Sequence, residues 1–335
     1  MSTIRDVAKL ANVSTATVSR ILNQDTRYKI TPETRARVLA AVEELGYQFQ
    51  SRSRQPEQPD PARVKIGCIL SVTKKKYNDP YFLSILSGAE EQLRSKGYSV
   101  SFIRTGNELS DRNLLTSTFE DNVSALILME TLNEDIYNYI RSKVPHIVGI
   151  DTRRDDIDNV AYDHLRVAIQ ATEHLIAQGH SRIGYIGGSG ESRNIRQSLR
   201  YQGYFLAMQA AGLPIEPRWV IDCEWDEELC GEKLRQMCRK NDLPTAFFVG
   251  SDLMALAAMN AMTQCGVSIP GDVAVVGMSD IDAARFSSPS LTTLRVPMEQ
   301  IGIIAANLLI DRINGSTLLP QKVTLPSQLI KRESA

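Results

Sequence analysis

From Val64 onward, short apolar runs alternate with longer amphipathic stretches, a texture that few architectures accept. The runs are VKIGCIL, SVSFIRT, ALILM, HIVGID, RIGYIGG, VIDC, AFFVG and VAVVGM. Between them, helical periodicity covers 82–96, 164–178, 197–211, 226–240 and 253–265. Four of these stretches stop at a glycine (Gly97, Gly179, Gly212, Gly266), the residue that most readily adopts the left-handed turn closing a helix. Strands alternating with helices imply parallel sheets covered on both faces, an α/β fold. Eight or more strands over roughly 270 residues fit one large sheet or two smaller doubly wound lobes.

The first 49 residues read differently, as short helices joined by tight turns, an all-α helix-turn-helix head. Thr3 with Asp6 makes a capping-box-like start. Val7, Ala8 and Ala11 share a face, and Asn12 suits the left-handed turn that ends the first helix. Ser14 caps a second helix in which Val18, Ile21 and Leu22 point inward. Thr15, Ala16, Thr17, Ser19, Arg20 and Asn23 are then left outward. Short hydroxyl and methyl side chains beside one arginine suit the major groove, where a helix must approach base edges closely. A third helix begins at Thr31 and Pro32, with Val38, Leu39, Val42 and Leu45 expected to close the small core.

Charge supports this assignment only locally. The whole chain has a formal net charge of -1, so a DNA-binding role must come from a patch. Residues 1–54 hold nine Lys/Arg against five Asp/Glu, an excess suited to phosphate contact. Residues 50–62 are polar, carry three prolines, and read as a linker. That leaves 63–335 as the α/β part. No apolar run reaches membrane-spanning length and the N-terminus lacks a signal-peptide core, so a cytoplasmic protein with no membrane partner is expected. The five cysteines form no CxxC pair and no metal set with the four histidines; reduced, mostly buried thiols are expected. Gly187 to Gly190 invites a nucleotide or nucleophile reading, but Ser192 breaks GxGxxG and Glu191 breaks GxSxG. His164 and His180 have carboxylates nearby without triad or metal spacing, and solvated or helix-end histidines are expected. No cofactor is implied.

The segments Ile4 to Ala8 and Val13 to Arg20 resemble the DNA-binding signature of the LacI–GalR family of bacterial repressors. Gly179-His180, Arg182 to Gly188, Ser251-Asp252, Ile269 to Asp272 and Pro289 to Thr293 follow in family order. The resemblance implies the helix-turn-helix head followed by two Rossmann-like lobes, similar to periplasmic sugar-binding proteins. Three chain crossings would give lobes of roughly 63–160 with 291–320 and 161–290 with 321–335. It implies a non-enzymatic transcription regulator with operator DNA, a small sugar effector and a second copy of the chain as partners. Asn78 to Phe82, Asn194 to Arg196, Ser279 to Ile281, Ala284 to Phe286 and Leu325 to Ser327 look most like the galactoside regulators of that family.

Site residues follow from the same resemblance. Thr3, Ser14 to Thr17, Ser19, Arg20, Asn23 and Tyr47 would touch DNA. Tyr81, Asp151, Arg196, Arg200, Trp225, Ser251, Ser279 and Asp280 would touch the effector. Asp151 ends an apolar run, where a doubly wound lobe places its ligand. Trp225 matches an aromatic that stacks on a sugar ring. Each also admits a purely structural role: Asp252 and Asp280 as helix caps, Arg200 as an ion-pair partner, Trp225 as part of the core. The family linker wedges a leucine into the minor groove. Here Gln55 or Pro56 stands at that place, so no wedge is expected, while Arg52 and Arg54 remain available to phosphates. No leucine-heptad tail precedes Ala335, so dimers rather than tail-held tetramers are expected. A regulator answering to a corepressor such as a purine or to a partner protein, a sugar-binding protein without DNA, and an enzyme are the alternatives.

Overall fold

A helix can start only where its first N–H groups find acceptors, and the N-terminal unit meets that need at three places. A computed structural model describes residues 2–22, 30–47, 60–72, 74–189 and 193–335, divided into Met1–Gln58 and Pro59–Ala335, each taken here by itself. Helix α1 (Ile4–Leu10) begins at Thr3, whose backbone N–H and hydroxyl both donate to Asp6 Oδ2, at 2.8 and 2.7 Å. Those bonds hold the Asp6 carboxyl below its usual range. Helix α2 (Thr15–Leu22) is capped by Ser14 Oγ, which accepts from the Thr17 N–H at 3.1 Å. Thr31 caps α3 (Pro32–Glu44) in the same way through Thr34.

Asn12 takes the expected left-handed conformation, with φ 50°. Val7, Ala8, Ala11, Val18, Ile21, Val38 and Ala41 form the core. One expected member is absent: Leu39 is exposed, because the register of α3 turns Val38 and Ala41 inward instead. Leu22, Val42 and Leu45 pack at the core's edge.

The larger unit contains two sheets of six strands each. Its strands in chain order are β1 (Ile66–Leu70), β2 (Val100–Thr105), β3 (Ala125–Met129), β4 (His146–Ile150), β5 (Asp158–Tyr162) and β6 (Ile183–Gly187). They continue as β7 (Val220–Asp222), β8 (Ala246–Val249), β9 (Ala274–Ser279), β10 (Thr292–Arg295), β11 (Lys322–Leu325) and β12 (Gln328–Ile330). The orders are β11-β5-β4-β3-β1-β2 and β12-β10-β9-β8-β6-β7. Every neighbouring pair is parallel except β10 with β12.

The helices are α4 (Pro80–Ser95), α5 (Arg112–Glu120), α6 (Glu134–Lys143), α7 (His164–Ala177), α8 (Leu199–Ala210), α9 (Glu227–Arg239), α10 (Asp252–Gln264), α11 (Asp282–Phe286) and α12 (Met298–Ile313). Gly97 and Gly179 end α4 and α7 at φ 83° and 93°, as their positions in the sequence predict. Helix α12 crosses α4 so closely that a Cβ on Gly302 would lie 2.0 Å from the Ile85 carbonyl oxygen, and it also packs on β3, β4 and β5. The chain therefore crosses between lobes after β5, after β10 and after β11.

These crossings correct the expected lobe segments. Strand β10 pairs with β9 in the second sheet, and β11 pairs with β5 in the first. Both assignments had been expected the other way round. The cause is physical: Thr292 and Thr293 are fully buried only between β9 and β12, while Arg312 and the Gln321 N–H fasten the β11 approach to buried Asp158. Of the cysteines, Cys68, Cys223 and Cys230 are buried, whereas Cys265 is exposed. Among the described residues no helix is long and apolar enough to cross a membrane.

Candidate functional site

Both sheets present the carboxyl ends of their strands to one cleft of about 1580 Å³. Ser71, Gly106, Glu130 and Asp151 follow β1 to β4 there; Gly188, Trp225, Gly250 and Ser279 come from β6 to β9. Ligands of doubly wound sheets bind at such ends, where loops diverge and helix N-termini converge.

Asp151 follows β4 and is buried, with φ 56°. Tyr81 Oη donates to its Oδ2 at 3.2 Å, and His164 Nε2 lies 2.9 Å from its Oδ1. Arg200, in the first turn of α8, donates through Nη2 to Tyr162 Oη at 2.9 Å. Its guanidinium carbon stands 4.9 Å from the Trp225 ring centre. The Arg200 Nε is buried and has no hydrogen-bond partner among the described residues. Burial opposes the Arg200 charge, but Tyr162 and Glu130 outweigh it and hold the group above its usual range.

Trp225 owes its place to two glycines. A Cβ on Gly188 would lie 2.4 Å from Trp225 Cδ1, and one on Gly250 would lie 3.3 Å from its Cη2. The indole therefore runs along bare backbone, half-buried, at the wall of the cleft.

The remaining predicted residues divide. Tyr81, Ser251 and Ser279 line the cleft. Ser251 also caps α10, its Oγ accepting from the Met254 N–H at 3.3 Å. Two placements correct the expectation. Arg196 is exposed in a short 3-10 turn, and Arg193 and Gln197 line the cleft in its stead. Asp280 turns away to Arg295 Nε at 2.7 Å and Arg332 Nη2 at 2.5 Å, so its carboxylate is engaged in tying β9 to the chain's end. Asp252 is structural in part: it accepts from Thr293 Oγ1 at 2.6 Å and from the Ile281 N–H at 3.0 Å. Burial pushes its carboxyl up to about 6.

Glu130 and His164 were missed. Glu130 follows β3 as Asp151 follows β4, so the same signal (an acidic residue directly after an apolar run) was present in ALILM-Glu130. Burial, then the like charge of Asp151, pushes Glu130 up to about 7. His164 is a helix-end histidine, as its place in the sequence suggests: it is the first residue of α7 and half-buried there. Burial lowers its pKa, against the pull of Asp151.

In the N-terminal unit, Thr15 and Ala16 are exposed, and Thr17, Ser19 and Arg20 are half-buried on the same helix. Ser14 and Thr17 hydroxyls lie 2.9 Å apart at the start of α2. Tyr47 packs against the core. Asn23 and the linker segment from Gln48 to Pro56 lie outside the described residues.

Residues 3–50 match the family described as bacterial regulatory proteins, lacI family, and residues 172–335 match a periplasmic binding protein-like domain. The chain is 33% identical to the HTH-type transcriptional repressor MelR of Bacillus subtilis (strain 168), over 100% of this chain and 97% of that protein. It is 34% identical to the HTH-type transcriptional repressor PurR of Haemophilus influenzae (strain PittEE), over 100% and 98%. Among solved structures, a complex of the transcriptional regulator CelR with cellobiose superposes with TM-score 0.73 at 28% identity, covering 100% of both chains. The lac repressor dimer bound to operator and the anti-inducer ONPF superposes with TM-score 0.68 at 25% identity, covering 99% of this chain and 98% of that one.

Proposed function

The chain belongs to the lacI family of bacterial regulatory proteins, a DNA-binding transcriptional repressor, and on that premise we propose that it controls sugar-utilisation genes through a small glycoside, a galactoside first among them, held in the cleft between its lobes. The observation that carries this reading is the arrangement around Trp225. An indole stretched along two glycines offers a flat apolar surface to a sugar ring, while Asp151 accepts from hydroxyls and the Arg200 guanidinium at the cleft wall donates to them. The similar structure of the transcriptional regulator CelR in complex with cellobiose is in keeping with a disaccharide-sized effector.

In this reading α2 supplies the base-reading surface, and two copies of the chain bind a two-fold operator in the cytoplasm. Glycoside and operator binding are then linked: whichever conformation the glycoside favours, it changes operator affinity by the same factor that operator changes glycoside affinity. A purine corepressor is the second reading, since an indole beside a carboxylate and a guanidinium also suits a planar base.

A thermal-shift screen of the purified protein against galactosides, glucosides and purine bases separates the two. A ligand that binds the folded state raises the melting temperature by mass action. A galactoside is expected to give the largest shift. A shift by purines alone would overturn the sugar reading.

A further inference from the structure

The half-buried imidazole of His164 does not itself line the large cleft, yet it holds a residue that does. It is the first residue of α7, which packs on α8 and on β8 to β10 of the second lobe. It also stands two residues after β5, the neighbour of β4, and its Nε2 lies 2.9 Å from Asp151 Oδ1 at the end of β4. The two side chains are 13% and 6% exposed, so the contact is shielded from water. Tyr81 holds the other carboxylate oxygen, and the Tyr162 ring covers the imidazole at 4.0 Å between centres.

The groups that face the imidazole settle its state. Asp151 favours the imidazolium; Arg200 and Arg153 oppose it; Glu130 lines the same small cavity of about 160 Å³ beneath the cleft. Burial outweighs Asp151, lowers the pKa of the ring and so favours its neutral form. A neutral imidazole has one N–H, and a carboxylate at Nε2 selects the tautomer that donates there.

We infer that His164 is a positioning residue for effector recognition: at the crossing from β5 to α7, its Nε2–H fixes the Asp151 carboxylate, so that Asp151 offers its free lone pairs to the effector in one orientation. The inference rests on reading the cleft as a glycoside site. Asp151 stands at a left-handed backbone position directly after a strand, and its carboxylate is held from the ends of two helices, α4 and α7. Two donors, one on each oxygen, supply that constraint.

Two measurements test this on the full chain. Without ligand, nitrogen chemical shifts of histidine-labelled protein at about neutral pH report the tautomer of each ring. His164 is expected as the pure Nε2–H form, changing to a mixture in Asp151→Ala. A mixture in the unsubstituted protein, or no change on removing Asp151, overturns the bond itself. With lactose and cellobiose as probes, calorimetry then compares His164→Phe, which keeps the ring but lacks N–H, with His164→Gln, whose amide N–H can replace the donor. Phe is expected to weaken binding by about tenfold or more, as for a lost hydrogen bond to a charged group, and Gln to restore most of it. Unchanged binding by the Phe variant, or a Gln variant no better than Phe, overturns the positioning role. Failure of the unsubstituted protein to bind either sugar removes the glycoside reading and this role with it, while the tautomer result still reports the bond.

Discussion

Left-handed backbone is disfavoured for residues that carry a Cβ, and in this chain it collects where strands end in the cleft. Glu130, Asp151, Trp225 and Ser279 have φ of 66°, 56°, 59° and 134°. Such geometry persists only where surrounding structure imposes it, and here it turns a carboxylate or an indole out of the sheet and into the ligand space. Glu130 shows the electrostatic consequence. Its carboxyl is raised from 4.5 to about 7, so the folded state binds a proton that the unfolded chain releases. Stability owed to this group is therefore present at low pH and lost as pH rises from about 4.5 through about 7. Urea unfolding across that window should show a falling stability that Glu130→Gln flattens; an unaltered pH profile in the variant would refute the assignment. At this scale the sequence was informative wherever an apolar run ended in a polar residue, as at Asp151. It was silent where two neighbours compete for one role. Nothing in Ser279-Asp280 says that Asp280 belongs to Arg295 and Arg332, and nothing local says that Arg193 rather than Arg196 meets the cleft.

Among the elements, α2 has the most direct claim on function. Its exposed Thr15 and Ala16 and half-buried Arg20 stand on a helix whose start is fixed by Ser14 and whose inner face is fixed by Val18 and Ile21. Arg20→Ala should weaken operator binding at every sequence tested. Thr15 or Ala16 substitutions should instead change base preference, by about 1–3 kcal/mol per discriminating contact. Binding-site selection with each variant separates the two effects, and an unchanged preferred operator for all three would remove α2 from base reading. The helix-turn-helix was legible because capping residues and helical spacing are local. Strands β10, β11 and β12 were not: they are three or four residues long, and β10 is rich in threonine with little apolar periodicity. Only pairing with strands far away in the chain makes them strands. The lobe membership of β10 and β11 was therefore misplaced, while that of β12 and the two-lobe fold were not.

For the cleft-bearing unit as a whole, the two lobes are joined by charged contacts as well as by chain crossings. Lys76, ahead of α4, pairs with Glu227 at the start of α9, and lies 3.7 Å from Asp79 at the start of α4. One cation thus serves the N-termini of helices in both lobes, at side-chain exposures of 11–26%. A double-mutant cycle of Lys76→Gln and Glu227→Gln should give a coupling of about 1 kcal/mol in stability, reduced by salt. Additive effects would mean that the pair joins nothing. If cleft occupancy by a glycoside sets operator affinity, fluorescence anisotropy on a selected operator duplex reads the effect. Titrations with and without saturating glycoside should differ by about 5–150-fold, as for a coupling of 1–3 kcal/mol, and the difference should vanish in Trp225→Ala. Superimposable operator curves, with calorimetry showing the cleft filled, would contradict it.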